Sequence, residues 1–206
     1  HASDSLKVGE SLHNQHLSAW AKHDLGAALY RFDRIDDAYQ YLTQAESIND
    51  TLHDRALTTN INLGLGAIAW KRQSLAEARQ RFELCRKISR ETGDRYREAY
   101  ALGNLGLICG EVGDTPRQLA YYQQALAIHT EIGDVDAMCY AYNNVGYLCQ
   151  MQDDYDGALV NYEQLRRLSD MTGNQPLRCL ALVGLADAYL GLQNASAALE
   201  QAQLAR

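Results

Sequence analysis

The chain has 206 residues, 47% of them apolar and 22% charged, with a formal net charge of −7 at pH 7. That acidity argues against general nucleic-acid binding and against anionic membrane surfaces, and no apolar run is long enough to cross a bilayer. Five cysteines without a CxxC pair suit neither a disulfide framework nor a zinc site, and two prolines leave room for long uninterrupted helices.

A small residue returns every forty positions, as Gly26, Gly66, Gly106, Gly146 and Ala186. One residue before it stand Leu25, Leu65, Leu105, Val145 and Leu185. Twelve residues after it come Ala38, Ala78, Gln118, Ala158 and Ala198, and sixteen after it Leu42, Phe82, Tyr122, Tyr162 and Ala202. A fixed period of this length means one supersecondary unit stacked on copies of itself. The units run approximately over 14–53, 54–93, 94–133, 134–173 and 174–206.

The first unit opens the series around Gly26. From the second unit into the third, residues 71–97 hold nine basic groups against four acids, which reads as a solvated outer helix face with local ion pairs. The third unit displays the construction of all five. Gly93 closes the preceding helix and Asp94 caps a new one. Ala99, Leu102, Leu105, Gly106 and Cys109 then recur at helical spacing. Gly113-Asp114 breaks that helix, Thr115 caps the next with Pro116 at its first position, and Leu119, Tyr122, Ala125, Leu126 and His129 carry it to Gly133-Asp134. The fourth unit closes at Gly173-Asn174. Each unit is therefore two antiparallel helices joined by a tight turn.

The marker glycine is expected where the two helices cross most closely, with the small residue twelve positions on as its counterpart. Cys109 and Cys149 share one repeat position and Cys139 and Cys179 another. Such recurrence reads as small buried filler in reduced form, and so as a reducing, cytoplasmic location. The start at His1 and the end at Arg206 read as those of a fragment.

Tyr142, Val145-Gly146, Ala158 and Tyr162 in the fourth unit, Leu102, Leu105-Gly106, Tyr122 and Ala125 in the third, and Leu185, Tyr189 and Ala198 in the fifth carry a family pattern. It resembles the tetratricopeptide repeat. The interval exceeds that family's usual 34 or so residues, so the chain is similar to its extended subclass, seen in LGN/Pins-type adaptors and bacterial signalling proteins. GDRYREAYALGNLG and YYQQALAIHTEIGD look most like it. The resemblance covers about residues 14–206, departing at Gln118 and Ala186.

Stacked hairpins of this kind turn slightly from unit to unit, so their first helices line a concave groove. Counted from the marker, the offsets −4, −1, 0 and +3 are core, and −6, −3, −2, +1, +4 and +5 face away from the second helix. In the resembled family that second set lines the groove. It contains Trp20, His23, Tyr30 and Arg31 in the first unit and Asn60, Trp70 and Lys71 in the second. The third and fourth add Tyr100, Asn104, Tyr140, Asn143, Asn144 and Tyr147, and the fifth is more apolar. Aromatic residues offer rigid contact area with a polar tip, though they equally suit packing between neighbouring first helices. Arg31 and Lys71 would attract partner carboxylates. The resemblance implies that the asparagines hold a peptide backbone; an inter-helix bond within the scaffold is the other reading.

Chemistry finds little support. His16 and His23 lie roughly 10 Å apart along a helix, and no carboxylate pair or cysteine completes a metal set with His13. The glycines at 103, 106, 110 and 113 lie in a helical pattern without a preceding strand, and Asp36-Asp37 and Asp153-Asp154 are turn or helix-start acids. The expected fold is all-α, a right-handed α-solenoid of five helix-turn-helix hairpins in one domain over 1–206. The expected function is a protein-interaction scaffold that binds an extended or helical peptide in its groove. The alternative is a sensory input domain of a bacterial signalling protein or transcription regulator that binds a peptide or small effector. No enzyme activity, metal or cofactor is expected, nor a nucleic-acid or membrane partner. Homo-oligomers through the terminal repeats stay open, because the last helix could expose an apolar face.

Overall fold

The computed structural model describes residues 2–205, and among them eleven helices and no strand follow one another. A first helix, α1 (Ala2–Ser11), precedes the repeats. Then come α2 (Gln15–Arg31) with α3 (Ile35–Leu52), α4 (Arg55–Lys71) with α5 (Leu75–Thr92), and α6 (Arg95–Glu111) with α7 (Thr115–Ile132). The last hairpins are α8 (Val135–Met151) with α9 (Tyr155–Thr172) and α10 (Gln175–Gly191) with α11 (Ala195–Leu204). Helix α1 has no counterpart in the forty-residue interval, and it approaches α2 so closely that a Cβ built on Gly9 would stand 2.9 Å from Ser18 N.

The turns repeat as strictly as the helices. Asp33, Gln73, Gly113, Asp153 and Gln193 occupy one repeat position, and all are left-handed, with φ between 58° and 73°. His53, Gly93, Gly133 and Gly173 occupy a second such position, with φ between 54° and 73°. Left-handed residues end a helix because their N–H groups turn back onto its last carbonyls. An acid or asparagine then caps the next helix: Asn14, Asp54, Asp94, Asp114, Asp134, Asp154, Asn174 and Asn194 each accept a backbone N–H on the side chain. Helix α7 corrects one expectation. Its cap is Asp114, which accepts Arg117 N–H at 3.2 Å, so Thr115 and Pro116 both lie inside the helix. Asp114 competes better because its longer-reaching carboxylate is charged.

The chain divides into two compact units, residues 1–108 and 109–206. The first has a core of Ala19, Ala38, Leu42, Ala45, Leu57, Ile61, Leu65 and Ile68. In the second, Tyr122, Val145, Leu148, Tyr162, Leu165 and Leu185 lie in one cluster. The marker glycines do sit at close helix crossings, where a Cβ on Gly26 would meet both the expected residue twelve on, Ala38 O at 3.1 Å, and Leu42 sixteen on at 2.8 Å. A Cβ on Gly66 would lie 2.8 Å from the Phe82 ring, and one on Gly146 3.0 Å from Tyr162. The glycine thus makes room for the large side chain sixteen residues on. The alanine twelve on, at Ala38, Ala78 and Ala158, is fully buried beside that contact.

Within each compact unit the next hairpin uses the same wedge. A Cβ on Gly64 in α4 would stand 2.8 Å from Leu42, and one on Gly184 in α10 would stand 2.5 Å from Tyr162. Helices α4 and α10 therefore each pack against two second helices, their own and the preceding one. That is why offsets −5 and +2 (Ile61 and Ile68, Ala181 and Ala188) are buried as well as the expected stripe, and Ala141 and Leu148 in α8 follow the same pattern. Of the open stripe, the −2 position is taken up in this packing at Gly64 and Gly184.

Candidate functional site

The first helices position the stripe, beginning with α2. Trp20 packs half-buried on the first core, and its Nε1–H donates to Asp54 Oδ2 at 3.1 Å. His16 Nε2 meets the same oxygen at 2.9 Å, and the His23 ring stands edge-on to Trp20 with centroids 5.8 Å apart. Asp54 meanwhile caps α4 through Ala56 and Leu57 N–H. Burial alone would raise its carboxyl pKa, but hydrogen bonds from Leu57, His16, Trp20 and Ala56 outweigh that and hold it below the ordinary value. Trp20 and His23 are thus part of the joint between hairpins, with only their outer faces open.

At the other end of α2, Tyr30 is half-buried against the same core, with Lys71 Nζ 5.2 Å from its ring centroid. Lys71 also forms an ion pair with Asp33 Oδ1 at 2.5 Å, so its charge is already matched within the unit. Burial pushes the Tyr30 phenol up, opposed by Lys71 and assisted by Tyr100 and Asp33. Arg31 is exposed. Trp70 is half-buried, and its indole N–H is fully buried with no hydrogen-bond partner among the described residues.

The asparagines separate into two kinds. Asn60 Oδ1 accepts from Arg97 Nε at 2.7 Å, while Arg97 also grips Asp94 at 2.6 Å, so Asn60 is a scaffold link between α4 and α6. Asn104 Nδ2 donates to Tyr100 O of its own helix at 2.8 Å. Asn143 and Asn144 are half-buried, and their side chains make no hydrogen bond to any described residue. Asn104 and Asn144 share the repeat position of Gly64 and Gly184, the position that leans on the preceding hairpin in α4 and α10.

The exposed part of the stripe is aromatic. In the first compact unit Tyr100 is 53% exposed and stacks on Tyr96, centroids 6.3 Å apart and 25° between planes. In the second, Tyr140 and Tyr147 are 60% and 54% exposed. Tyr96 lies outside the offsets derived from the repeat; its signal was the four-residue spacing to Tyr100, which puts both on one helix face. Met151, Leu180, Val183 and Leu190 extend the exposed surface of α8 and α10.

Among the described residues no group of three or more His, Cys, Asp or Glu comes together, and no helix is long and apolar enough to cross a membrane. Cys85, Cys109, Cys139 and Cys149 are buried and Cys179 half-buried, none of them in a disulfide. Burial pushes the Cys85 thiol up to about 11, well away from a reactive thiolate.

A sequence model of the tetratricopeptide repeat matches residues 56–131, from the start of α4 to the end of α7. No curated protein sequence matches the chain. Among solved structures, BtubC (BKLC) from P. vanneervenii is 21% identical with a TM-score of 0.86, covering 99% of this chain and 86% of that one. A signal-transduction ATPase of the STAND class with a tetratricopeptide repeat sensor, from Pyrococcus horikoshii, is 20% identical with a TM-score of 0.81 over 97% of this chain. A Rap protein complexed with competence and sporulation factor is 15% identical with a TM-score of 0.71 over 98%. This chain spans only 31% of the STAND protein and 58% of the Rap protein. At such identities the likeness establishes the fold, an all-α helical-repeat solenoid. The repeat interval and the hairpins wedged on one another agree with that fold, and residues 56–131 match the tetratricopeptide repeat.

Proposed function

We propose that the chain is a protein-interaction scaffold whose first-helix stripe holds an extended or helical peptide segment of a partner. The observation that carries this reading is the exposure of Tyr100, Tyr140 and Tyr147, each more than half open on helices whose packing does not need them. Large rigid aromatic groups with a polar tip contribute contact area at small entropic cost. Asn143 and Asn144 add free carboxamides that can pair with peptide N–H and C=O groups. Arg31 rather than Lys71 would meet partner carboxylates, since Asp33 already neutralises Lys71. Mostly buried cysteines outside any disulfide suit a reducing, cytoplasmic setting.

The test is to select binding peptides from a displayed library against the whole chain, then measure them on Tyr100→Ala/Tyr140→Ala/Tyr147→Ala. Affinity should fall at least about tenfold, while the melting temperature stays nearly unchanged because exposed side chains contribute little to folding. Unaltered affinity would place the binding surface elsewhere. A second reading, a sensory input module, draws on the fold shared with the STAND protein's repeat sensor. It predicts that a bound peptide changes the output of a linked domain in the natural protein.

A further inference from the structure

Helix α8 lies inside the second compact unit, packed against α7, α9 and α10. Its open face carries Asp136, Tyr140, Asn143, Asn144 and Tyr147, all within about 60° of Tyr140 around the helix axis. Tyr140 and Tyr147 are 60% and 54% exposed. The two asparagines between them are half-buried, with side chains that make no hydrogen bond to any described residue. Asp136 is the one charged residue of α8; it is exposed and has no ion pair among the described residues. The tyrosines are two helical turns apart, so their Cα atoms stand about 10 Å from each other along the axis.

We propose that this face binds a proline-rich segment of a partner in the polyproline II conformation, with a basic residue at the end nearest Asp136. The proposal rests on the reading of the first-helix stripe as a peptide site and names the occupant of its α8 part. A polyproline II chain has three residues per turn and rises about 3.1 Å per residue, so residues i and i+3 share a face about 9 Å apart. That matches the tyrosine spacing. A β-strand lying along α8 repeats its face at about 7 or 13 Å and seats only one ring at a time. Polyproline II also has no internal hydrogen bonds, so its carbonyls are free to accept from Asn143 or Asn144 Nδ2. A helical segment matches the spacing too, but its backbone is bonded to itself. It would cover both carboxamides and leave them unpaired, which is costly. Charge complementarity fixes the end of the segment. With no Lys, Arg or His on α8, the unpaired carboxylate of Asp136, one turn before Tyr140, meets a cation supplied by the partner.

The probes are fluorescein-labelled peptides titrated against the whole chain by anisotropy: RPPAPPAPP, its flexible counterpart RGGAGGAGG, and an alanine-rich helix with the same arginine, held by a side-chain staple. The proline peptide should bind at least about tenfold more tightly than either control, because its bound conformation is already formed. Tyr140→Ala and Tyr147→Ala should each weaken it at least about fivefold. Asn143→Leu/Asn144→Leu, which keeps the bulk and removes the carboxamides, should weaken it too. Replacing the arginine by alanine should lower affinity at low salt, and Asp136→Asn should erase that difference. Melting curves establish that each variant is folded. No saturable binding of the proline peptide, equal or tighter binding of either control, or affinities that these substitutions leave unchanged would overturn the proposal. Library peptides that need Tyr140 and Tyr147 but contain no proline would also overturn it, while leaving the scaffold reading in place. Both readings fall if loss of the exposed tyrosines affects no peptide at all.

Discussion

Substituting Gly184 by alanine tests the wedge directly. In an open helix interior the change would stabilise by about 1 kcal/mol, because glycine has the poorer propensity. Here the new Cβ would lie 2.5–2.6 Å from three atoms of the Tyr162 ring. The ring is 4% exposed, its hydroxyl donates to Gln150 Oε1 at 3.2 Å, and a Cβ on Gly146 would meet the same ring atoms from 3.0 Å. Buried against both helices, it has little room to shift. Overpacking of this kind costs about 1–3 kcal/mol, which exceeds or cancels the propensity gain and leaves a net loss of up to about 2 kcal/mol. In a Tyr162→Val background the clashing ring atoms are gone, and Gly184→Ala should then stabilise by about 1 kcal/mol. The control is Gly103→Ala, where no atom lies within 4 Å of the new Cβ, and which should stabilise in both backgrounds. Denaturant unfolding followed by circular dichroism gives the four corners of the cycle. If Gly184→Ala has the same effect with and without the Tyr162 ring, the wedge account is wrong.

Two further outcomes follow from buried polar groups. His129 is 7% exposed, 3.7 Å from Asp134; burial lowers its pKa below 6.5, with Asp134 opposing. The unfolded chain therefore binds the proton more readily, so stability holds above about pH 6.5 and declines as pH falls towards the lower folded value. His129→Asn, copying Asn49 at the same repeat position, should remove that part of the pH dependence in paired urea titrations. Asp54→Ala removes a cap together with the partner of Trp20 and His16, and should cost about 0.5–2 kcal/mol at neutral pH. The Asp54 contribution is present above its ordinary carboxyl pKa of 3.8 and lost as pH falls through the depressed folded value. Wild type minus variant should therefore vanish in acid, with Trp20 emission shifting in the variant.

Much of the fold was legible because every repeat had to solve the same packing problem. Helix caps, left-handed turns and the buried cysteines could be read from recurrence alone. The expectations that failed did so where two groups compete for one contact. Asp114 against Thr115 was decided by which side chain reached the open N–H, and the marker glycine is required by the bulk sixteen residues on as well as by the alanine twelve on. The stripe was legible as a set of positions but not as a set of states. Lys71 pairs with Asp33 and Asn60 with Arg97, partners 38 and 37 residues apart that no local pattern announces.

The forty-residue interval by itself determined the helical hairpin, its turns and the identity of the buried face, because these depend on periodicity and local capping. Tertiary structure decided the rest. It showed α4 and α10 each held between two second helices, since a wedge is recognisable only when the side chain and the glycine that receives it are in contact. It also left Tyr100, Tyr140 and Tyr147 open, because exposure depends on which neighbour is present rather than on the residue.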